Sequence, residues 1–435
     1  MSLTDGLFSD PELARIMGDP ARLAAMGRVE AALARIQGQA GVIPADAAAA
    51  VQAVVATFQP DPDVLAPAVA RAGIAAQAYV TALKSACGDA GGWAHFGATS
   101  QDVQDTALVL QLREALEVLA ARLIRLVDTL AIKAQDNAET PIPARTRFQI
   151  AAPTTLGAKI AVWQAPLQRH LQRLGEMRPR LLALSFYGAA GTGAALGDQM
   201  GPLRKALGAA LDLPAPDMPW HNARDGMGEL GGWLSLVTGS LGKIGLDLIL
   251  LAQSEVAEIS AGQGGGSSTM PQKSNPVAAE ALVTLARLNA SDLGGLHQAL
   301  IHAQERDGSA MGIEWALLPG MVIRTGAALR LALELAETLA PRPDGIAATF
   351  ARDRGLMLAE AAGFALSRDM PRKQALALVG QALRDVAANP DLTLAQALMQ
   401  LAPGRDWLEE LDPARALGEA PAQARAAIKP TEETP

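Results

Sequence analysis

Cysteine and aromatic residues are scarce in this chain of 435 residues, and each shortage limits what the protein can be. The single cysteine, Cys87, excludes a disulfide within the chain and fits a cytoplasmic location, which we therefore expect. Only 3% of the residues are aromatic, although half are apolar. The core must therefore consist mainly of Ala, Leu and Val, a composition that favours helix over sheet.

A strong positive charge and a long hydrophobic run are also missing. The chain has 37 basic and 45 acidic residues, a net charge of -8, which argues against a nucleic-acid partner because such proteins carry a basic patch. The most apolar stretch, Leu246–Ala252, is interrupted by Asp247 and falls short of the ~18 residues that a membrane span needs. We therefore expect no membrane partner, and the acidic start, Met1–Asp19, is unlike a secretory signal.

The sequence between Ala98 and Thr140 contains neither glycine nor proline. Within it, apolar residues recur at alternating spacings of three and four, the pattern of a coiled-coil seam: Val109, Leu112, Leu116, Leu119, Leu123, Leu126 and Leu130. A second apolar stripe contains Ala120, Ile124, Val127 and Ala131. A helix of roughly 35 residues would be ~50 Å long, and one chain could hardly cover several of its faces. We therefore predict a bundle of long helices that is shared between subunits.

Breaks rich in proline and glycine divide the remaining sequence, and we expect Pro141 and Pro143 to interrupt the chain after the long helix. The predicted parts are an N-terminal helical domain (residues 1–98), a central domain of long helices (99–343) and a small C-terminal helical domain with its tail (344–435). The boundary at residue 343 rests on Pro341 and Pro343. Residues 10–90 show no alternating strand pattern, and helical patterns follow them, so the sequence predicts an all-α protein of three domains.

The segment from Gly264 to Pro276 stands out from the helices on either side. Three consecutive glycines and Pro271 cannot continue a helix, so we predict a mobile catalytic loop over residues 262–276. Asn275 is a suitable N-cap and Pro276 a suitable first residue for a helix that reaches His302, with an irregularity at Gly294-Gly295. Hydroxyl, ammonium and amide groups before a helix N-terminus favour binding of an anion.

Two other helix starts carry hydroxyl groups, Thr99-Ser100 and Thr154-Thr155. Each alone is most simply an ordinary helix cap, and Thr99 with Asp102 fits a capping box. The sequence has no phosphate-binding glycine loop, dinucleotide fingerprint or serine-hydrolase elbow. The five histidines lack metal-ligand spacing, so we expect no metal: His95, His170, His221, His297 and His302. His95 stays a candidate because it lies beside the Thr99 turn.

Three blocks together resemble the fumarase/aspartase superfamily. The first is Gly266-Ser-Ser-Thr-Met-Pro-Gln-Lys-Ser-Asn-Pro276, the second His95-Phe-Gly-Ala-Thr-Ser-Gln-Asp102, and the third Arg145-Thr146 with Gln149, Pro153 to Thr155 and Gly157. Their order and spacing extend the resemblance over roughly residues 10–345. The stretch from Gly97 to Ala107 is most similar to the branch of bacterial 3-carboxy-cis,cis-muconate cycloisomerases, which act in protocatechuate degradation.

This resemblance implies a three-domain helical subunit, a homotetramer whose active sites are shared between subunits, a small polycarboxylate substrate and no cofactor. It implies proton transfer by Ser267 and carboxylate binding by Lys273 and Asn275. The positions that match substrate-binding residues are Thr99, Ser100, Gln101, Thr146, Gln149, Ser268 and Met270. A weakly acidic proton beside a carboxylate needs donors arranged around the developing charge, and a closing loop would supply them.

One departure from the family pattern separates the alternatives. Lyases of this superfamily usually carry a histidine directly after the Thr146 position or three residues further on, where this chain has Arg147 and Ile150. An elimination needs an acid for its leaving group, whereas a ring closure by the substrate's own carboxylate does not. The sequence therefore favours a cycloisomerase over a fumarate-releasing lyase acting on adenylosuccinate or argininosuccinate. A non-catalytic scaffold is the third alternative, and we interpret Arg224-Asp225 as structural.

Overall fold

The computed structural model describes residues 3–266 and 269–427, and helices dominate it, so the all-α prediction is confirmed. The first part contains short helices: α1 (Asp5–Phe8), α2 (Pro11–Met17), α3 (Asp19–Gln39), α4 (Ala45–Val55), α5 (Pro62–Ala72) and α6 (Ala75–Ala86). Asp10 caps α2 by accepting from Leu13 N at 3.1 Å. The same carboxylate accepts from Arg122 Nη1 at 2.6 Å, which ties this part to the long central helix.

The central part is a bundle of long helices. Its elements follow in chain order: α7 (Ser100–Asp136), β1 (Pro141–Thr146), β2 (Gln149–Thr155), α8 (Leu156–Leu181), α9 (Met200–Leu211), α10 (Asp225–Leu251), β3 (Ile259–Ser260), β4 (Gly265–Gly266), β5 (Ser274–Asn275), α11 (Val277–Gln298), α12 (Gly308–Thr338) and β6 (Ala340–Pro341). The predicted seam of α7 is buried along its whole length, from Val109 to Leu130. Thr99 caps this helix in the predicted capping box with Asp102.

Helices α7, α8, α10, α11 and α12 run up and down between two ends of the bundle. At the Thr99 end, where α7 begins, Asp102 and Asp105 contact Tyr187 and Arg224. At the hairpin end, where α7 finishes, β1 pairs with β2 and β3 pairs with β6. Because α7 has 37 residues, the two ends lie roughly 55 Å apart.

Three local expectations were wrong. Asn275 does not cap a helix but lies in β5 opposite Gly265, and α11 begins after Pro276. Gly294 and Gly295 leave α11 unbroken, since it continues to Gln298. Pro141 and Pro143 do not simply interrupt the chain; they lie in β1, and a register shift follows Pro143.

The expectation that no segment resembles a membrane span also needs correction. Helices α10 and α12 are long and apolar enough to cross a membrane when judged by length and composition alone. An unbroken apolar run was too strict a criterion, because a few polar residues leave the average of a long helix apolar. In an apolar stretch of 18 residues in each helix, 50% of the residues of α10 and 56% of those of α12 are buried within the bundle. Core packing therefore accounts for this composition.

The last part contains α13 (Pro343–Asp353), α14 (Ala359–Leu366), α15 (Arg372–Ala388), α16 (Leu394–Leu401), α17 (Trp407–Glu410) and α18 (Ala420–Arg425). Its own hydrophobic cluster surrounds the buried Trp407. Helix α18 returns to the bundle, where Gln135 Nε2 donates to Ala427 O at 3.0 Å. A second cluster joins α3, α6 and α9 to the first turns of α7. The domain boundaries at residues 98 and 343 stay a prediction.

Candidate active site

The predicted site residues fall into two groups at opposite ends of the bundle. His95, Thr99, Ser100 and Gln101 lie at the Thr99 end, where α7 begins. Thr146, Gln149, Met270, Lys273 and Asn275 lie in the hairpin and the loop at the other end. Ser267 and Ser268 lie outside the described residues, between Gly266 and Thr269. One chain therefore does not bring the two groups together.

At the Thr99 end an arginine from a distant part of the sequence meets the start of α7. Arg306 Nε donates to Gln101 Oε1 at 2.8 Å. Its Nη2 donates to Thr99 Oγ1 at 3.3 Å and to Ala189 O at 3.1 Å. The following residue, Asp307, caps α12, and hydrogen bonds led by that from the Ser309 hydroxyl lower the pKa of Asp307 to about 2. A guanidinium, a hydroxyl and an amide are thus held beside one another, a combination that suits a carboxylate.

Buried polar groups beneath Thr99, Gln101 and Arg306 hold these side chains in place. Asp102 accepts from Tyr187 N, Gly188 N and His221 Nε2, each at 2.9 Å, which anchors the chain after α8. Gln101 Nε2 donates to His221 O at 2.7 Å and to Asp105 Oδ2 at 3.1 Å. These bonds orient Gln101 so that its Oε1 faces Arg306.

Arg224 completes this support from inside the bundle. Its Nη1 donates to Asp105 Oδ2 at 2.9 Å, and its Nε donates to Glu314 Oε2 at 2.9 Å. Burial disfavours the charged guanidinium, but Asp105 and Glu314 outweigh that effect and raise the pKa of Arg224. Its partners are these two carboxylates rather than Asp225, and its buried position supports the structural interpretation of this arginine, which stays a prediction.

His95 lies in the turn that leads to Thr99, and its ring contacts the N-terminal part. Nδ1 of His95 lies 2.6 Å from Glu30 Oε1. The two side chains are 11% and 1% exposed. The His95 backbone has φ of 62° and that of Gly97 has 71°, both in the left-handed region. A residue other than glycine rarely adopts this conformation, so neighbouring contacts must maintain it at His95.

At the hairpin end, Arg145 fixes the base of the β1–β2 hairpin. Its Nη1 and Nη2 donate to the buried Glu258 at 2.8 and 2.5 Å. Thr146 and Gln149 pair across the tip, and both are exposed. Between them Arg147 and Phe148 both have positive φ, 49° and 66°. The tip therefore presents a guanidinium that forms no ion pair within residues 3–266 and 269–427, together with an aromatic ring that is 77% exposed.

Within the predicted mobile loop, two short stretches on either side of residues 267–268 pair as strands. Gly265 pairs with Asn275 and Gly266 with Ser274. Gly264 packs closely against Ser274, so a larger residue there would require the Ser274 side chain to move. Lys273 and Met270 are exposed, and a turn links them through Lys273 N to Met270 O at 3.0 Å. Gly262 N donates to Thr338 Oγ1 at 2.7 Å, which joins the loop's start to the end of α12.

A further lysine at this end was not singled out by the sequence. Lys159 lies on the first turn of α8, two residues after Gly157. Burial lowers the pKa of its ammonium, and the nearby Asp247 opposes that shift. A lysine with a lowered pKa beside a polar hairpin is typical of functional sites as well as of packed helices. Among residues 3–266 and 269–427, no group of three or more histidine, cysteine, aspartate or glutamate residues could hold a metal ion.

Sequence comparisons find relatives over most of the chain. A family model described as "Lyase" matches residues 9–288. A protein of Pseudomonas aeruginosa named 3-carboxy-cis,cis-muconate cycloisomerase is 42% identical, over 98% of this chain and 95% of that protein.

Solved structures extend the likeness to the whole chain. The 3-carboxy-cis,cis-muconate lactonizing enzyme of Pseudomonas putida is 39% identical, with a TM-score of 0.92 and 98% of both chains covered. A fumarate lyase of Mesorhizobium sp. BNC1 is 32% identical, with a TM-score of 0.90 over 97% of this chain and 98% of that one. This chain belongs to the lyase family of the fumarase/aspartase superfamily.

Proposed function

We propose that this protein is a 3-carboxy-cis,cis-muconate cycloisomerase of protocatechuate degradation. The observation that carries the proposal is its similarity, over 98% of its length, to a protein of that name and to a solved lactonizing enzyme. The positions of three basic side chains support the proposal of an acidic substrate. Arg306 lies at one end of the bundle, and Lys273 and Arg147 lie at the other. A tricarboxylate substrate has enough carboxylate groups to engage all of them.

The proposed reaction is an internal addition. One carboxylate oxygen of the substrate bonds to a carbon of its conjugated diene, and the displaced electron pair moves to a carbon beside another carboxylate. That carbon then takes a proton, for which we propose the Ser267 hydroxyl as donor. The ring oxygen loses its negative charge, so each turnover consumes one proton and releases no second product. The serine regains its proton from solvent.

Lys273, Asn275 and the start of α11 are proposed to stabilise the charge during this step. Among residues 3–266 and 269–427, no side chain caps the first N–H groups of α11, which follows Pro276. Uncapped N–H groups at a helix start attract an anion. A carbanion held by its neighbouring carboxylate needs such fixed donors, and the same setting would lower the cost of forming a serine alkoxide.

We further propose a homotetramer whose sites combine groups from three copies, in the cytoplasm. The two groups of site residues lie roughly 55 Å apart in one chain, a separation that follows from the 37 residues of α7. Exposed apolar side chains on the bundle would be covered by neighbouring copies; they include Val162, Leu236, Leu246 and Leu288. A groove between α8 and α10 contains Val162 and Leu236 together with the small Gly232 and Gly239. Small residues allow close approach of another helix.

Two simultaneous measurements test the activity. Purified protein is mixed with 3-carboxy-cis,cis-muconate while diene absorbance and proton uptake are followed. We expect loss of the diene faster than the spontaneous rate, with one proton consumed for each molecule converted. Lys273→Met should reduce both signals to the spontaneous rate, whereas Lys205→Met, which changes an exposed lysine on α9, should leave them unchanged. No acceleration by the wild-type protein would refute the proposal.

A fumarate-releasing lyase is the second candidate, and the similarity to the Mesorhizobium fumarate lyase favours it. Arg147 and Ile150 occupy the positions where the family's lyases usually carry histidine, which weighs against this alternative. Adenylosuccinate and argininosuccinate therefore enter the same assay as separate substrates. Release of fumarate without any loss of diene from the muconate would decide for the lyase.

A further inference from the structure

A buried carboxylate in the N-terminal part faces the turn that carries His95. Glu30 lies on α3, and its Oε1 is 2.6 Å from His95 Nδ1. The Glu30 side chain is 1% exposed, so this carboxylate lies almost wholly out of water. A carboxylate in such a position is costly unless a proton donor satisfies it.

A second buried side chain on α3 holds the backbone of the same turn. Gln37 Nε2 donates to Phe96 O at 2.7 Å, and Gln37 is fully buried. Gln37 follows Glu30 by seven residues, which places both on one face of α3. One helix face therefore fixes the imidazole through Glu30 and the peptide beside it through Gln37. Both contacts hold the turn in which the His95 backbone has a left-handed φ of 62°.

The other groups around Glu30 do not compensate its charge. Oε2 of Glu30 and the hydroxyl of Tyr79 are buried, and neither has a hydrogen-bond partner in the part of the chain that the structure describes. Burial raises the pKa of Tyr79, and the charge of Glu30 adds to that shift. Burial followed by Glu30 likewise raises the pKa of the Cys87 thiol. Both neighbours therefore stay neutral, and His95 is the group that donates to Glu30 among the described residues.

We propose that Glu30 is a positioning residue that fixes the tautomer and orientation of His95. With its proton on Nδ1 donated to Glu30, the ring leaves Nε2 without a proton and able to accept a hydrogen bond. Within the described residues, Nε2 has no hydrogen-bond partner. This atom is not fully buried, so it keeps access to solvent. Resting on the proposed function, this assigns Nε2 as the ring atom that meets the substrate beside Thr99.

Glu30→Gln tests the role because it keeps the size of the side chain and removes its charge. Histidine labelled with ¹⁵N reports the tautomer of each ring, and His95→Gln identifies the His95 signals. In wild-type protein at alkaline pH we expect the proton on Nδ1 alone. In Glu30→Gln we expect a mixture of tautomers, and kcat/KM lower by roughly tenfold to a hundredfold, as for other residues that orient a functional histidine. Glu30→Asp should recover part of the activity.

Two controls separate orientation from general damage. The thermal midpoint of Glu30→Gln should stay the same or rise, since the variant removes a buried charge. Tyr79→Phe removes a hydroxyl that bonds nothing, so it should leave both the His95 tautomer and the rate unchanged. Equal effects of Tyr79→Phe and Glu30→Gln, or an unaltered tautomer and rate in Glu30→Gln, would overturn the proposal. If the wild type lacks cycloisomerase activity, the spectra alone still decide the role of Glu30.

Discussion

Loss of Arg224 should be costly to the fold. Its side chain is 1% exposed, as are the carboxylates it meets, Asp105 at 2% and Glu314 at 1%. Arg224→Met would leave both carboxylates buried without a cation, so we expect unfolding by urea to become easier by about 3–5 kcal/mol. Arg180→Met is the matched control, because its ion pair with Glu229 is exposed and should contribute little. Equal losses in the two variants would contradict this account.

Sequence reasoning recognised individual site residues where local chemistry was sufficient. Thr99 was recognised because a capping box is read from residues three apart, and the box is present. Glu30 and Arg306 were not recognised, because their hydrogen-bond partners lie 65 and 205 residues away in the chain. A buried carboxylate on an apolar helix face and an arginine before a helix cap were the only local signals. The assignment of catalytic and binding roles stays a prediction.

Among the elements, the long helices followed from their apolar spacing, but the hairpins did not. The seam of α7 needs only the repeat of apolar residues and the absence of breakers, and its observed end at Asp136 agrees. Strands β1 and β2 contain Pro141, Pro143 and Pro153, which usually argue against a strand. These prolines are tolerated here because both strands are edge strands and the register shifts after Pro143. Asn275 was misassigned because its pairing with Gly265 competes with capping.

Packing of α8 against α10 should make stability depend on pH through His170. Arg173 Nη1 donates to His170 Nδ1 at 3.1 Å, so Nε2 carries the proton and donates to Ser240 Oγ at 2.9 Å. Burial, with Arg173 and Arg169 adding, lowers the pKa of His170 from 6.5 to about 4. Between these values the unfolded chain binds a proton that the folded chain does not. Stability present above pH 6.5 is therefore lost progressively as the pH falls to about 4.

His170→Gln should weaken that dependence while leaving the neighbouring helices in place. The free energy of unfolding, measured with urea, should fall between pH 7.5 and pH 5 in wild type. This fall should exceed that of the variant by on the order of 1–3 kcal/mol. His297→Gln, on α11, serves as a comparison for a histidine replaced elsewhere in the bundle. If the free energy of unfolding changes equally between the two pH values in His170→Gln and in wild type, the neutral, buried imidazole does not cause the loss of stability in acid.

At the scale of the whole molecule, the distance between the two groups of site residues leads to a mixing experiment. Arg306→Leu removes the guanidinium at the Thr99 end, and Lys273→Met removes the ammonium at the other end. Each variant alone should be inactive. In randomly mixed oligomers, a site that takes each group from a different copy should be intact in about a quarter of cases, because each copy is unaltered at a given position half of the time.

Mixing the two inactive variants under conditions that exchange subunits should therefore restore activity to about a quarter of the wild-type value. A double variant carrying both changes, mixed with itself, controls for spontaneous recovery. Mixing Arg306→Leu with Thr99→Val should restore nothing, because Thr99 and Arg306 contact each other within one chain at 3.3 Å. If the first mixture also stays inactive although subunits exchange, the catalytic groups must come together within one copy. The up-and-down bundle, which holds them at opposite ends of α7, would then have to rearrange before catalysis.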